Sequence, residues 1–498
     1  PQSSIMPPPP TANPNDTIPD AEAILTTYLR TLPPSTNFTT EDQSLLRSFL
    51  DALYNNPKSN PDTPVPVPTL LTTSTPKSYH AGTGKTQTRA LAHAIERAKQ
   101  EVIFVTCFWA PSESRTLLSA ALRELSTRAL ARNVKVRVRL CFSSMSVWQR
   151  AVSPPRGKVW EGLEDLGLPG RGELPGLDIL VKSLFFPPFS VLHGKYCVVD
   201  RKLVWIGSGN VSWECWGEGC GSFEGEGFVR SVLEYYRVIW EEGCLELPAL
   251  PFLEEEGMEE HEVEEAGEGE KGPDVLDEIR EYPTILLPNP HHRNPHFSLR
   301  SSIQSLTSHL PCLRARQSPS LLQSPPPPNT PQNTFLLTLF SHAKTSITIH
   351  TPNLTSKPLL SALLSAASRN VHITIITCRN MMRMEQLATT PFSTTESCVD
   401  TFISSLPDLE TGSGKVHLGF WRGRGEVKQW HVKASIVDDA WTVIGSANGD
   451  RASWWGSGEI NVCVFGGGYA REVGGRLERW AVEAGGVEWI LGGRELGV

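Results

Sequence analysis

His193-Gly-Lys195-Tyr-Cys-Val-Val-Asp200-Arg-Lys-Leu-Val-Trp-Ile-Gly207-Ser208-Gly-Asn210 decides how the chain is read. Its arrangement returns at His431 to Asn448, His-Val-Lys433-Ala-Ser-Ile-Val-Asp438-Asp-Ala-Trp-Thr-Val-Ile-Gly445-Ser446-Ala-Asn448. The steps from His193 to Lys195, Asp200, Gly207, Ser208 and Asn210 are repeated without change from His431 to Lys433, Asp438, Gly445, Ser446 and Asn448. Polar and glycine positions that agree in type and spacing at so long an offset describe one chemical half-site written twice.

The repeat extends beyond the motif. Asn133 to Cys141 (NVKVRVRLC) lines up with Asn370 to Cys378 (NVHITIITC) at nearly the offset that separates His193 from His431. In the first copy the pattern predicts a helix over 86–100, a strand Glu101 to Phe108, a helix near 113–131 and a strand Lys135 to Cys141. A Gly/Pro-rich loop (150–176), strands at Leu177 to Lys182, Val191 to Asp200 and Leu203 to Ile206, and a helix near 229–242 follow. The second copy predicts helix 333–344, strand Ser346 to Thr351, helix 357–369 and strand Val371 to Cys378. Strands alternating with helices of this length imply an α/β fold in each half. The domain boundaries follow: a Pro-rich N-terminal segment with two short helices (1–78, helices near 20–31 and 41–54, a Pro/Thr-rich link at 57–77), a first α/β domain (79–250), an acidic and Pro-rich linker (251–332), and a second α/β domain (333–498).

The 498 residues carry a net charge of −8, but Glu254 to Glu281 alone holds 14 acidic and 2 basic residues, which leaves about +4 for the rest. A mildly basic body suits a few local phosphate contacts, not the many that nucleic-acid binding rests on. The 10 Cys include no CxxC pair, and Cys107, Cys197, Cys378 and Cys463 sit in apolar runs, which reads as buried free thiols in a reducing, intracellular compartment. No secretory pattern opens the chain, and no apolar run reaches the ~20 residues of a membrane span, so any membrane contact is peripheral. The first residue is Pro1 rather than Met, which leaves targeting open.

Alternation along a strand puts His193 and Lys195 on one face, and likewise His431 and Lys433. An imidazole beside an ammonium makes a site for an anion that must also be attacked or protonated. Two such half-sites facing each other suit displacement at phosphorus, with one imidazole as nucleophile and the other as proton donor and acceptor. Two Lys and two Asn then hold the non-bridging oxygens without a metal or other cofactor. Both half-sites lie in one chain, which points to a monomer.

Two copies of His-x-Lys-x4-Asp, each followed by Gly-Ser-x-Asn, resemble the phospholipase D superfamily, and EVIFVTCFWAP, HHRNP and TPNLTS resemble its fungal members. The resemblance covers about 79–250 and 333–498. It implies two similar α/β domains related by a pseudo-twofold axis, with one shared active site and a metal-independent phosphohistidine mechanism. Carried over, His193 is the nucleophile and His431 the general acid and base, with Lys195 and Lys433 on phosphate. Asp200 and Asp438 complete the catalytic motif by supporting its local structure. Ser208, Asn210, Ser446 and Asn448 border the substrate. An acidic residue after the Asn orients the catalytic His: Glu459, eleven positions after Asn448, is expected to serve His431. The first-copy equivalent is Gly221, leaving Glu218, Glu224 and Glu226 as alternatives for His193.

Other stretches bear on substrate. AGTGKT lacks the first Gly of a phosphate loop, since Tyr79 stands there, and reads as a turn opening a helix. Leu184 to Phe189 (LFFPPF) either lines an acyl-chain entrance or packs on the core. Trp213, Trp216, Trp454 and Trp455 either wall the cleft or pack inside it. His291, His292 and His296 lie in a Pro/Asn loop with no metal-holding framework. The leading expectation is a phosphodiesterase or phosphatidyltransferase acting on phospholipid head groups. The alternatives are a nuclease with the same site, or a catalytically silent lipid- or partner-binding protein.

Overall fold

The computed structural model describes residues 21–55, 60–146, 157–186, 190–212, 215–241, 275–291, 326–383, 386, 393–406, 416–423 and 425–492. The first half contributes strands β1 (Leu71–Thr83), β2 (Glu101–Phe108), β3 (Val136–Ser144), β4 (Lys158–Trp160) and β5 (Leu177–Ser183). A short hairpin of β6 (Phe185–Phe186) and β7 (Ser190–Val191) comes next, then β8 (Tyr196–Val199), β9 (Leu203–Gly207) and β10 (Trp216–Glu224). Their order across the sheet is β4-β5-β3-β2-β8-β9-β10-β1, with β2, β3 and β5 parallel and the other pairs antiparallel.

The second half contributes β11 (Tyr282–Asn289), β12 (Ser346–His350), β13 (His372–Thr377), β14 (Val416–Trp421), β15 (Gln429–Trp430), β16 (Ala434–Val437), β17 (Trp441–Gly445), β18 (Glu459–Phe465) and β19 (Val487–Leu491). Here the order is β19-β14-β13-β12-β16-β17-β18-β11, again with three parallel strands (β12, β13, β14) beside antiparallel ones. The two sheets join through β1, whose first residues (Leu71–Ser74) pair with β11 while Thr75–Thr83 pair with β10.

Two stretches expected as linker are strands. The Pro/Thr-rich link expected over 57–77 ends in β1, where β-branched Thr72, Thr73 and Thr75 favour extended backbone. Pro76 falls at the register shift between Pro76 and Ser78, where a missing N–H costs no ladder bond. Tyr282–Asn289, inside the expected linker 251–332, stands to β18 as β1 stands to β10. Its Pro283 is opposite Thr73 of β1 alone and its Pro288 opposite Ile460 of β18 alone, so neither proline needs to serve two ladders. Prolines that read as linker are prolines at one-sided positions.

The expected helices form with small shifts, among them Ala21–Thr31, Thr40–Tyr54, Gly84–Glu96, Glu113–Ala131, Pro331–His342 and Lys357–Ser368. AGTGKT does open a helix, with the Thr83 hydroxyl accepting from Thr86 N at 3.3 Å. Helices Glu113–Ala131 and Lys357–Ser368 both end through an asparagine with positive φ (Asn133, 53°; Asn370, 65°), which accounts for the Asn that opens each matching stretch. The N-terminal helices belong to the second half: Phe49 meets Phe335 edge-on at 5.2 Å, and Trp441 Nε1 donates to buried Asp42 at 2.7 Å. No helix among the described residues is long and apolar enough to cross a membrane. Residues 1–20, most of the acidic tract (254–274), His292 and His296 lie outside the described residues.

Candidate active site

Each catalytic-motif histidine is set in place by backbone of the other half. His193 N donates to Gly458 O at 2.6 Å, and Gly458 N donates back to Val191 O at 2.9 Å. Reciprocally, His431 N donates to Gly217 O at 2.7 Å, where β10 runs parallel to β15 with Trp216 opposite Gln429 and Gly217 opposite Trp430. The sequence places His193 to Lys195 and His431 to Lys433 inside strands, but both segments are irregular and precede β8 and β16. Their donors are spent on the partner half instead of a ladder. Each lysine turns back on its motif, Lys195 Nζ to His193 O and Lys433 Nζ to His431 O, both at 2.6 Å.

The carboxylates cross. Both oxygens of Glu459 lie 2.9 Å from His193 Nδ1, and both oxygens of Glu218 lie 2.9 Å from His431 Nδ1. This corrects the expectation that Glu459 serves His431, and it identifies the carboxylate that faces His193. Ser208 and Ser446, expected to border the substrate, are fully buried and donate to the carboxylates instead, Ser208 to Glu218 and Ser446 to Glu459, each at 2.5 Å. A histidine, a carboxylate from the opposite half and that half's serine therefore form two interlocked chains, which fix the Nδ1 side of each ring and leave Nε2 as the reactive nitrogen.

Burial sets the electrostatics. It pushes His193 below the ordinary imidazole range, against the pull of Glu459. For His431, burial together with Lys433 and Lys195 pushes the ring well below that range. Burial drives Glu218 up to about 7, although Lys433 and Ser208 act the other way. In Glu459, by contrast, burial also pushes upward, but His193, Lys195 and Ser446 together hold the carboxyl below its ordinary value. Near neutrality the His193–Glu459 pair thus consists of a free imidazole and a carboxylate, while the His431–Glu218 pair carries one more proton below about pH 7 and loses it above. Burial also pushes the Lys433 ammonium well below its usual value, so an anion entering the cleft would stabilise its charged form.

Residues 336–480, which include the second motif, match the family model described as cardiolipin synthase, PLD-like domain. Residues 336–480 are thus identified as a phospholipase D-like domain. A curated relative, the minor cardiolipin synthase ClsB of Bacillus subtilis, is 29% identical over 148 residues, which is 30% of this chain. The match spans about a third (32%) of that relative's length. Among solved structures, the phosphatidylserine synthase of Haemophilus influenzae shares the fold, with a TM-score of 0.51 at 13% identity over 82% of this chain and 86% of that one. The phospholipase D family member Nuc of Salmonella typhimurium superposes with a TM-score of 0.24 at 19% identity, over 31% of this chain and 90% of that one.

Within the two motifs the aspartates stand apart from the histidines. Asp200 follows Lys195 at the other end of β8, a span of roughly 16 Å at ~3.3 Å per extended residue. Its carboxylate accepts from Lys99 N, Gln100 N and Glu101 N at 2.7–2.9 Å. Asp438 does the same for Lys344 N, Thr345 N and Ser346 N, all at 2.8 Å. Both open tight turns with positive φ at each centre (Asp200 51°, Arg201 55°; Asp438 53°, Asp439 49°), closed by Lys202 N to Val199 O and Ala440 N to Val437 O. Such a turn favours Asp or Asn at its first centre. The motif aspartates clamp the fold and do not reach the reacting atoms.

The two asparagines differ. Asn210 accepts from Phe108 N at 3.2 Å. Asn448 donates to Asp450 at 3.0 Å, and its Oδ1 is buried without a partner beside a small cavity of about 40 Å³ that Lys433 and His350 also line. Trp454 and Trp455 are core residues, whereas half-buried Trp216 lies against His431, ring centres 4.7 Å apart. Trp213 and residues 187–189 of LFFPPF fall outside the described residues, while Phe186 stacks on His291 at 3.8 Å. Among the described residues no three His, Cys, Asp or Glu side chains gather as a metal site would need. The crossed partner of His431 has a sequence signal: Gly217-Glu218 and Gly458-Glu459 are the same dipeptide, each a short way beyond its motif asparagine, Asn210 or Asn448.

Proposed function

We propose that the chain is a phosphatidyltransferase or phosphodiesterase acting on phospholipid head groups through a covalent phosphohistidine, without a metal. The observation that carries the reading is the crossing of the two His–Glu pairs, which sets two histidines, each with its Nδ1 2.9 Å from a carboxylate of the opposite half, in one site. His193, neutral and backed by ionised Glu459, attacks phosphorus through Nε2. The bond from phosphorus to the leaving oxygen breaks, and that oxygen takes a proton from His431 Nε2, whose ring draws on the proton that Glu218 holds. In the second step an alcohol or water gives its proton to His431 while its oxygen attacks phosphorus, and the P–N bond to His193 breaks. Lys195 and Lys433 supply positive charge to the non-bridging oxygens as charge builds. A phospholipid substrate is supported by the cardiolipin synthase description of the matching family model and by the name of the curated relative.

The test is incubation with phosphatidylcholine, phosphatidylglycerol and single-stranded DNA, each with and without a primary alcohol and with EDTA present. Lipid turnover, with acid-labile phosphate on His193 that accumulates in His431→Ala and is absent in His193→Ala, is expected. Cleavage of DNA alone, or loss of activity to EDTA, overturns the reading.

A further inference from the structure

The two histidines differ in what covers them. The Trp216 ring lies against His431 at a tilt of 46°, and His431 is 3% exposed at its side chain against 15% for His193. The cross-half ladder that seats His431 also fixes the indole, because Trp216 pairs with Gln429 and Gly217 O receives His431 N. Behind them Trp421, Trp430 and Trp480 pack in a column with ring centres 4.7 Å apart. Trp480 and Trp430 close on Gly217 so tightly that a Cβ there would meet them at 2.9 and 3.2 Å. The matching residue of the other half, before Gly458, is Ser457, so His193 has no indole from this position.

We propose that Trp216 is a positioning residue that keeps bulk water off His431 and thereby decides whether the phosphorylated intermediate passes to an alcohol or to water. This rests on the reading of the two histidines as a phosphoryl-transfer pair. In the second step the acceptor's O–H proton moves to His431 Nε2 as the O–P bond forms and the P–N bond to His193 breaks. Water and alcohol compete for that step. An indole face at the proton acceptor disfavours water and gives the alcohol's carbon chain an apolar surface.

Trp216→Ser, which installs the residue of the other half, and Trp216→Phe, which keeps an aromatic face, test it through two readouts. The first needs no turnover: diethyl pyrocarbonate labelling of the full chain, read by peptide mass spectrometry as the ratio of His431 to His193 modification. The second is the ratio of hydrolysis to transfer on phosphatidylcholine at one fixed primary-alcohol concentration. Trp216→Ser is expected to raise both ratios roughly fivefold, equivalent to ~1 kcal/mol, with Trp216→Phe near the parent. Unchanged ratios in Trp216→Ser, or equal changes in both variants, overturn the shield. General unfolding would expose both histidines and carry the ratio toward one, but it would also label the buried His350, which local exposure of His431 leaves at the parent level. If the parent turns over no phospholipid, the functional reading fails, and the labelling ratio still decides whether the indole covers His431.

Discussion

Glu459 stands on β18 in the second half, yet its carboxylate sits 2.9 Å from Nδ1 of His193 in the first, and Glu218 makes the reverse crossing to His431. Neither half contains a complete histidine–carboxylate pair. The interface is therefore part of the chemistry, and the backbone bonds from His193 to Gly458 and from His431 to Gly217 hold donor and acceptor in register across it.

The crossing predicts which glutamate variant resembles which histidine variant. Glu459→Gln removes the carboxylate that orients His193, so it should suppress formation of the phosphorylated intermediate by ~10²–10⁴, the usual worth of positioned acid–base groups. Glu218→Gln should let the intermediate form slowly and then persist, as in His431→Ala. Rapid-quench measurement of acid-labile phosphate separates the two. A persistent intermediate in Glu459→Gln would mean that the carboxylates act within their own halves.

The pairs also predict a bell-shaped pH profile. Burial raises Glu218 to about 7, so the extra proton of its pair with His431 is present below that pH and lost above it, and kcat/KM should fall on the alkaline side. His193 is pushed below 6.5, so it stays neutral into mild acid and the acid limb should lie under the ordinary histidine value. Ser208 donates to Glu218 and favours its ionised form. Ser208→Ala should move the alkaline limb upward by about one unit, since a hydrogen bond to a charged group is worth ~1.5–3 kcal/mol and one unit is ~1.4. An alkaline limb that stays fixed in Ser208→Ala would detach it from Glu218.

The half-site was legible because two identically spaced motifs, one starting at His193 and one at His431, need no structure to detect, and the parallel strands were legible from apolar runs such as Glu101–Phe108. The crossing was not. Counting eleven positions from Asn448 reaches Glu459, but the loop after Asn448 holds a short helix, Arg451–Trp455, so the same count from Asn210 overshoots Glu218 to Gly221. Nor does any sequence spacing say that a side chain reaches into the other half. β1 and β11 were obscured by prolines that are acceptable only because each faces one neighbour, a tertiary fact. Ser208 and Ser446 looked like substrate ligands because a hydroxyl beside an asparagine suits an anion, and only burial assigns them to the carboxylates.

The N-terminal helices should behave as core of the second half. Phe49 is fully buried against Phe335. Phe49→Ala should cost ~3–5 kcal/mol, the range for a large aromatic removed from a packed interior. Asp42→Ala should cost less, though it leaves Trp441 Nε1 buried without its acceptor. Denaturant unfolding measures both. Changes within about 0.5 kcal/mol, as at ordinary surface positions, would make the helices an appendage.

The motif aspartates should affect stability before chemistry. Asp438 accepts three backbone N–H groups and the Thr345 hydroxyl while holding positive φ in the turn from β16 to β17. Asp438→Ala removes the acceptor of these donors and strains the turn, but Lys344 and Thr345 are exposed and can turn to water, so it should lower stability by about 1–3 kcal/mol, given ~0.5–1.5 for an ordinary hydrogen bond and ~1–2 for a left-handed residue without a favouring side chain. Asp438→Asn keeps the left-handed preference and one acceptor oxygen, so it should lose less. In both variants the fraction that remains folded should form acid-labile phosphate on His193 at close to the parent rate, because the turn lies at the far end of β16 from Lys433. A thermal melt paired with single-turnover phosphate trapping reads the two quantities separately. A variant with parental stability and no trapped phosphate would put Asp438 back among the reacting groups.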